Sequence, residues 1–256
     1  MSEFRSSPNP KVGRISANTF QHREVKYAQL GDLAVFEGDI ILDTVAAIEA
    51  VSKRPEVMKF APEGIVIKGD QYRWRDGKIP YRIDPSLPDP GRVTKAIEHW
   101  QAKTGIRFIA LNSENLNRNP DRVLFISGDG CWSYVGRQGG EQQISLGEGC
   151  TLGNAIHEIG HTVGLWHEQS RKDRDQYVTV NYGNIQSGME HNFDQHINDG
   201  DDIGSYDYDS IMHYPPWAFS KNDQPTIVAN NGVPIGQREN LSAEDIEAVK
   251  AIYPNL

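Results

Sequence analysis

Only two cysteines, Cys131 and Cys150, occur in the 256 residues, so the chain cannot be a disulfide-dense scaffold and must rest on a hydrophobic core. Nor is there any stretch of 18 uninterrupted apolar residues. The most apolar run, residues 40–51, is broken by Asp43 and Glu49, which excludes a membrane-spanning helix. Basic charge is in short supply: 26 Lys and Arg against 35 Asp and Glu leave a net charge of −9. The broad cationic face that nucleic-acid binding needs is therefore missing. No internal repeat and no low-complexity tract is present. The N-terminus, Met1-Ser2-Glu3-Phe4-Arg5-Ser6-Ser7-Pro8, has no apolar segment of the secretion-signal kind. Either the protein stays inside the cell or an export signal has been removed.

What is present describes a globular α+β protein. Hydrophobic residues make up 38% and charged residues 24%, ordinary values for a folded chain. Residues 1–64 contain one histidine, His22, and no cysteine, and their one clear element is a helix over 43–53, with Val45, Ala46, Ile48 and Val51 apolar. Residues 54–64, rich in proline and charge, read as an exposed connection. The net charge also divides unevenly, −1 before position 65 and −8 after it, and a boundary is drawn at Gly64. The alternative is that the first 64 residues are simply part of one domain. Downstream, strands are expected over 78–83, 107–111, 123–126 and 142–146. A helix over 91–104 follows from Val93, Ala96, Ile97 and Trp100 at three- and four-residue spacing. A second helix covers 152–163 and stops at Gly164, and a last one, 242–253, opens with the capping pattern Ser242-Ala243-Glu244-Asp245.

The chemistry concentrates in His157-Glu158-Ile159-Gly160-His161-Thr162-Val163-Gly164-Leu165-Trp166-His167. Positions i and i+4 of a helix share one face, so His157 and His161 can bind a single ion. His167 could not reach that ion along a straight helix, but Gly164 tolerates the left-handed conformation that ends one and lets the chain turn back. Three protein ligands leave a fourth position open, the mark of a catalytic zinc. Glu158 stands beside the ion, placed to take a proton from a zinc-bound water. With average residue usage, these five positions coincide by chance in on the order of one in 10⁵ chains of this size. Cys131 and Cys150 enclose 18 residues, a spacing that fits a bridged hairpin or two unpaired core thiols.

This stretch resembles the zinc signature of the metzincin metalloproteases, and Ser210-Ile211-Met212-His213-Tyr214 resembles their methionine turn. Within that group the chain is similar to the astacin family. Glutamate follows the third histidine in His167-Glu168-Gln169-Ser170-Arg171, and tyrosine stands two residues after Met212. Further astacin-like pieces are Gly69-Asp70-Gln71-Tyr72, Cys131-Trp132-Ser133-Tyr134-Val135-Gly136, Tyr206-Asp207-Tyr208 and Leu241-Ser242-Ala243-Glu244-Asp245-Ile246. The similarity covers about residues 65–256.

The resemblance implies a two-lobed catalytic domain over 65–256. A twisted, mostly parallel sheet with helices would lie above the cleft, and a mostly irregular lobe with a terminal helix below. It implies a zinc endopeptidase with one zinc per chain, held by His157, His161 and His167, and with Glu158 as general base. Tyr214 would ligate the zinc at rest and swing out to stabilise the oxyanion, with Met212 as an apolar floor. Glu168 would meet the amino terminus created by activation. Cys131 and Cys150 match a family disulfide, which implies secretion. A second family disulfide is missing at both ends: Ile106 occupies the place of one cysteine, and Tyr253-Pro254-Asn255-Leu256 lacks the other. The last helix is then expected to be held by Ile246, Val249 and Ile252.

On the same resemblance, residues 1–64 would be an inhibitory pro-segment. Phe36-Glu37-Gly38-Asp39 resembles the family's aspartate switch, in which Asp39 occupies the zinc's open position and displaces the water. The implied partners are protein or peptide substrates and the chain's own pro-segment. Arg238 could face the pocket beyond the scissile bond and favour acidic residues, or be a surface arginine. The run Asp199-Gly200-Asp201-Asp202 lacks calcium-loop spacing and reads as a solvated acidic loop. The alternative to an enzyme is a catalytically inert, zinc-stabilised binding module, and retention of Glu158 argues against it.

Overall fold

The structure is a computed structural model that describes residues 3–15, 23–53, 69–195 and 201–256. The connection at 54–64 and the boundary at Gly64 lie outside the described residues, as do His22, His196 and the first half of the acidic run.

The N-terminal region carries more regular structure than its one expected helix. Strands β1 (Lys11–Ile15), β2 (Arg23–Leu30), β3 (Leu33–Phe36) and β4 (Ile40–Thr44) precede helix α1 (Val45–Ser52). The strands form an antiparallel sheet in chain order. Along β2, Val25 and Tyr27 are buried while Glu24 and Lys26 face solvent, the period-two alternation of a half-covered strand. The buried face gathers Ile15, Tyr27, Phe36, Ile40 and Leu42 with Ile48 of α1, and it closes on Val135 and Trp166 from the remainder of the chain. The N-terminal sheet thus completes its core against the part that carries the histidines.

Next come β5 (Lys78–Ile83), α2 (Gly91–Lys103), β6 (Arg107–Ala110), β7 (Arg122–Ile126), β8 (Cys131–Trp132), β9 (Glu141–Leu146) and α3 (Leu152–Val163). The five strands run in the order β6-β5-β7-β9-β8. All neighbours pair in parallel except β8, which runs antiparallel to β9 along one edge. This is the mostly parallel sheet that the resemblance implied. Helix α2 packs on α3, and the Trp100 indole N–H donates to the Ile156 carbonyl at 3.0 Å. Ile79, Val123, Phe125 and Ile144 of the sheet meet Ala155, Ile159 and Val163 of α3 in the main core.

Beyond α3 the chain is mostly turns, with one short antiparallel pair, β10 (Val178–Val180) and β11 (Ile227–Ala229), and a final helix α4 (Ala243–Ile252). Ser242 caps α4 by accepting from Asp245 N at 2.8 Å, and Asp245 accepts from Ser242 N at 3.0 Å. Ile106, fully buried, shares a core with Val249, Ile252 and Tyr253, and Ile246 packs against it, so apolar packing holds α4 as expected. Cys131 and Cys150 are disulfide-bonded, which ties β8 to the turn that leads into α3. Among the described residues no helix is long and apolar enough to cross a membrane.

Candidate active site

The site grows out of α3. Thr151 caps it, its hydroxyl accepting from Asn154 N at 3.3 Å while the Asn154 side chain accepts from Thr151 N at 2.9 Å. Residues 153–163 are all buried. His157 and His161 lie a turn apart on one face, with ring centroids 4.7 Å apart. At Gly164 φ is 125°, a value open to glycine but costly for other residues, and the helix stops there. The chain turns back and lays His167 against the other two, 4.8 Å from the His161 ring and 5.4 Å from the His157 ring. Gly160 allows a second close approach, because a Cβ there would come within 2.5 Å of the Met212 sulfur beneath the helix.

Each imidazole is oriented through Nδ1. His157 Nδ1 lies 2.8 Å from the Ile211 carbonyl, His161 Nδ1 2.8 Å from the Leu165 carbonyl, and His167 Nδ1 2.7 Å from the Glu37 carboxylate. Such partners fix the tautomer and leave Nε2 free to ligate. All three Nε2 atoms point at one carboxylate, Asp39, at 3.3 Å from His157, 3.2 Å from His167 and 3.7 Å from His161. Two ligand atoms bound at about 2.0–2.1 Å to one tetrahedral ion lie about 3.3–3.4 Å apart, so these separations fit a shared zinc. Asp39, His157, His161 and His167 form the one cluster among the described residues with metal-ligand geometry, and all four are buried. His161 Nε2, Asp39 Oδ1 and both Glu158 carboxylate oxygens are buried without a hydrogen-bond partner. A cation at the focus of the four side chains would satisfy the first two.

Burial opposes ionised Asp39, but the charge of His167 and hydrogen bonds with the three histidines hold its carboxyl well below the usual range. Burial likewise opposes a charge on His167, yet Asp39 and Glu37 push its pKa up to about 9. Glu158 shifts the other way: burial first, and then the neighbouring Asp39 charge, push its carboxyl well above the usual range.

Asp39 reaches the site because the start of β4 docks on the sheet edge. Ser133 N donates to the Asp39 carbonyl at 2.9 Å and Ile41 N donates to the Ser133 carbonyl at 2.8 Å, a parallel bridge just past β8. Glu37 and Gly38 both take positive φ, 46° and 83°, and turn the chain sharply into the cleft. Glu37, to which the sequence reading of its stretch gave no role, is fully buried and also accepts from Ser170 Oγ at 2.6 Å.

Tyr214 is fully buried with its ring centroid 4.7 Å from that of His167, and its hydroxyl donates to the Glu37 carbonyl at 2.6 Å. Its backbone N–H donates to Gln169 Oε1 at 2.9 Å. Glu168 points elsewhere, into a small cavity also lined by Arg171, Asp201, Asp207 and Asp245, where burial pushes its pKa up to about 8. Asp202, in the described half of the acidic run, lies in the field of Arg171.

Residues near the N-terminus fill the rest of the cleft. Phe4 is buried against Tyr214 and Phe219, with centroids 4.8 and 5.5 Å away. The Arg5 N–H donates to the Gly38 carbonyl at 2.6 Å. Arg238 is a cleft residue: its guanidinium donates to Glu3 at 2.7 Å and to the carbonyls of Ile211 and His213 at 2.7 and 3.0 Å. The contacts of Phe4 and Glu3 join residues more than a hundred positions apart, so local sequence pattern carried no sign of them.

A family model described as Astacin, a peptidase family, matches residues 66–254. Zinc metalloproteinase nas-13 of Caenorhabditis elegans is 39% identical over 227 residues, covering 85% of this chain and 50% of that protein. Zinc metalloproteinase nas-6 of the same organism is 37% identical over 262 residues, covering 97% of this chain and 72% of that protein. That match extends into the N-terminal region outside the family model. Among solved structures, high choriolytic enzyme 1, a hatching enzyme zinc-protease from the medaka fish Oryzias latipes, aligns with a TM-score of 0.63 at 34% identity, over 78% of this chain and 99% of that one. The chain spans half or less of the length of several curated relatives it matches.

Proposed function

This chain belongs to the astacin family of peptidases, and from that premise we propose that it is a zinc-dependent endopeptidase held latent by its own N-terminal region. The observation that carries the reading is the convergence of three Nε2 atoms and one carboxylate in a buried pocket, with the two unpartnered oxygens of Glu158 beside them. His157, His161 and His167 would hold the zinc, which when bound would supply Lewis acidity for the scissile carbonyl and lower the pKa of water to about 7.

The chain's own residues do the remaining work. Glu158 takes the proton from the attacking water and delivers it to the leaving amine. In the latent form Tyr214 donates to the Glu37 carbonyl. Once that turn leaves, the hydroxyl would be free to ligate a bound zinc at rest and to donate to the carbonyl oxygen as negative charge builds there. The backbone of Ser133, now paired with Asp39 and Ile41, becomes the edge along which an extended peptide substrate binds. Glu3 on Arg238 supports the pocket reading of that arginine, with an acidic side chain favoured beyond the scissile bond.

Residues 1–64 are assigned as the inhibitory pro-segment. Asp39 takes the fourth zinc position, Glu37 braces His167, and Phe4 fills the cleft over Tyr214. A cut within residues 55–64 would release them and create an amino terminus near Ile65 able to reach Glu168. The disulfide supports an oxidising destination, hence secretion. A zinc-stabilised binding module would have no use for an unpartnered buried carboxylate at Glu158. The deciding experiment compares metal content with proteolysis in the activated protein. Glu158→Ala should keep one zinc by elemental analysis and lose about 10²–10⁴ in rate, whereas His161→Ala should lose the metal itself. Full activity in Glu158→Ala would overturn the mechanism.

A further inference from the structure

A stretch of the chain's own N-terminus lies in the cleft and shows which side chains the walls accept. Glu3, Phe4 and Arg5 alternate in direction, as successive residues of an extended chain do. Phe4 turns into the ring cluster of Tyr214 and Phe219, while Glu3 and Arg5 border one small cavity. Glu3 meets Arg238, and Arg5 pairs with Asp129. Apart from those two visitors, the cavity is walled by residues 128–131 and 147–150, which bring two carboxylates, Asp129 and Glu148, and no cation.

That wall is rigid. Gly147 N donates to the Gly130 carbonyl at 3.1 Å, and Ser145 Oγ both donates to the Gly130 carbonyl at 2.9 Å and accepts from Gly128 N at 3.1 Å. The Cys131–Cys150 bond clamps the two halves together. A Cβ on Gly147 would come within 2.8 Å of the Gly128 carbonyl oxygen, so the loops meet backbone to backbone. From this fixed platform the Asp129 side chain projects with 61% of its surface exposed, and Arg5 is its ion-pair partner among the described residues. Departure of the N-terminal region takes Arg5 away and leaves the carboxylate facing the cleft, two residues along an extended peptide from the position Arg238 reads.

Resting on the peptidase reading above, we propose that Asp129 is a specificity-determining residue: it accepts a lysine or arginine side chain of the peptide substrate, two positions from the acidic residue held by Arg238. Arg5 and Glu3 occupy these two subsites in the latent chain. The activated enzyme thus presents opposite charges at subsites two positions apart and selects peptides of matching polarity.

The test is cleavage-site profiling of a peptide mixture by the activated enzyme and by Asp129→Asn and Asp129→Lys. It is followed by kcat/KM on paired peptides that differ only by Lys or Gln at the preferred position. An exposed pair of this kind corresponds to a preference of about 2- to 5-fold at low ionic strength, declining as salt is added. Asp129→Asn should bring the Lys-to-Gln ratio close to one, and Asp129→Lys should turn the preference toward acidic residues, which a purely structural role would not do. A wild-type profile without enrichment of basic residues, or a ratio unchanged in Asp129→Asn, would overturn the assignment. An activated protein that cleaves no peptide would instead remove the peptidase reading on which it rests.

Discussion

Tyr214 would exchange its hydrogen-bond partner if the uncut chain is converted to the proposed active form. Its hydroxyl is committed to the Glu37 carbonyl, and burial pushes its pKa well above the usual value, so it acts as a neutral donor. If it stabilises charge only in the transition state, Tyr214→Phe in the cut enzyme should lower kcat by about 10²–10³ with little change in KM. An unchanged kcat would reduce the side chain to packing. The three histidines could be read from the sequence because their positions follow from helical period and one glycine, both local properties. Glu37 and Gln169 could not. Glu37 earns its place by contacts with His167 and Ser170, 130 and 133 positions away, and Gln169 by accepting from Tyr214 N, 45 positions on. A charged residue before Gly-Asp reads as an exposed turn until the fold buries it.

Among the elements, α3 shows how packing can reverse propensity. Gly153 lies in its first turn, where alanine would ordinarily be the better helix former by about 1 kcal/mol. A Cβ at that position, however, would stand 1.9 Å from the Arg238 carbonyl oxygen. Gly153→Ala should therefore destabilise, by about 1–3 kcal/mol, as overpacking does; the midpoint of urea unfolding reads this, and a stabilised variant would contradict the contact. The bond from Cys131 to Cys150 closes a 19-residue separation just ahead of the same helix. Replacing both cysteines by serine should cost about 3 kcal/mol in the chain-entropy model, measured the same way. The helices and the parallel strands were readable from period and capping, since each has a long, regular pattern. The four N-terminal strands were not assigned. They are short, interrupted by charge, and buried in part by Val135 and Trp166, which no reading of residues 1–64 alone can supply. The short β10–β11 pair escapes for the same reason, being three residues a side.

On the scale of the whole molecule, the N-terminal sheet and the zinc site form one structure. The sheet shares its core with Val135 and Trp166, its fourth strand docks on Ser133, and the turn before that strand delivers Asp39 to the histidines. The proposed latency would have two parts, a carboxylate at the metal and a chain across the cleft, with Phe4 and Glu3 belonging to the second. Asp39→Ala should accordingly raise the activity of the uncut chain, yet leave it below that of the cut one. The most direct measurement is the rate of peptide hydrolysis by the zinc-loaded chain before and after cleavage within residues 55–64, made on the wild type and Asp39→Ala side by side. Wild-type activity is expected to be near background before the cut and high after it, with Asp39→Ala intermediate before the cut and equal to the wild type after it. An uncut wild-type chain as active as the cut one, or an Asp39→Ala chain as silent as the uncut wild type, would contradict the account.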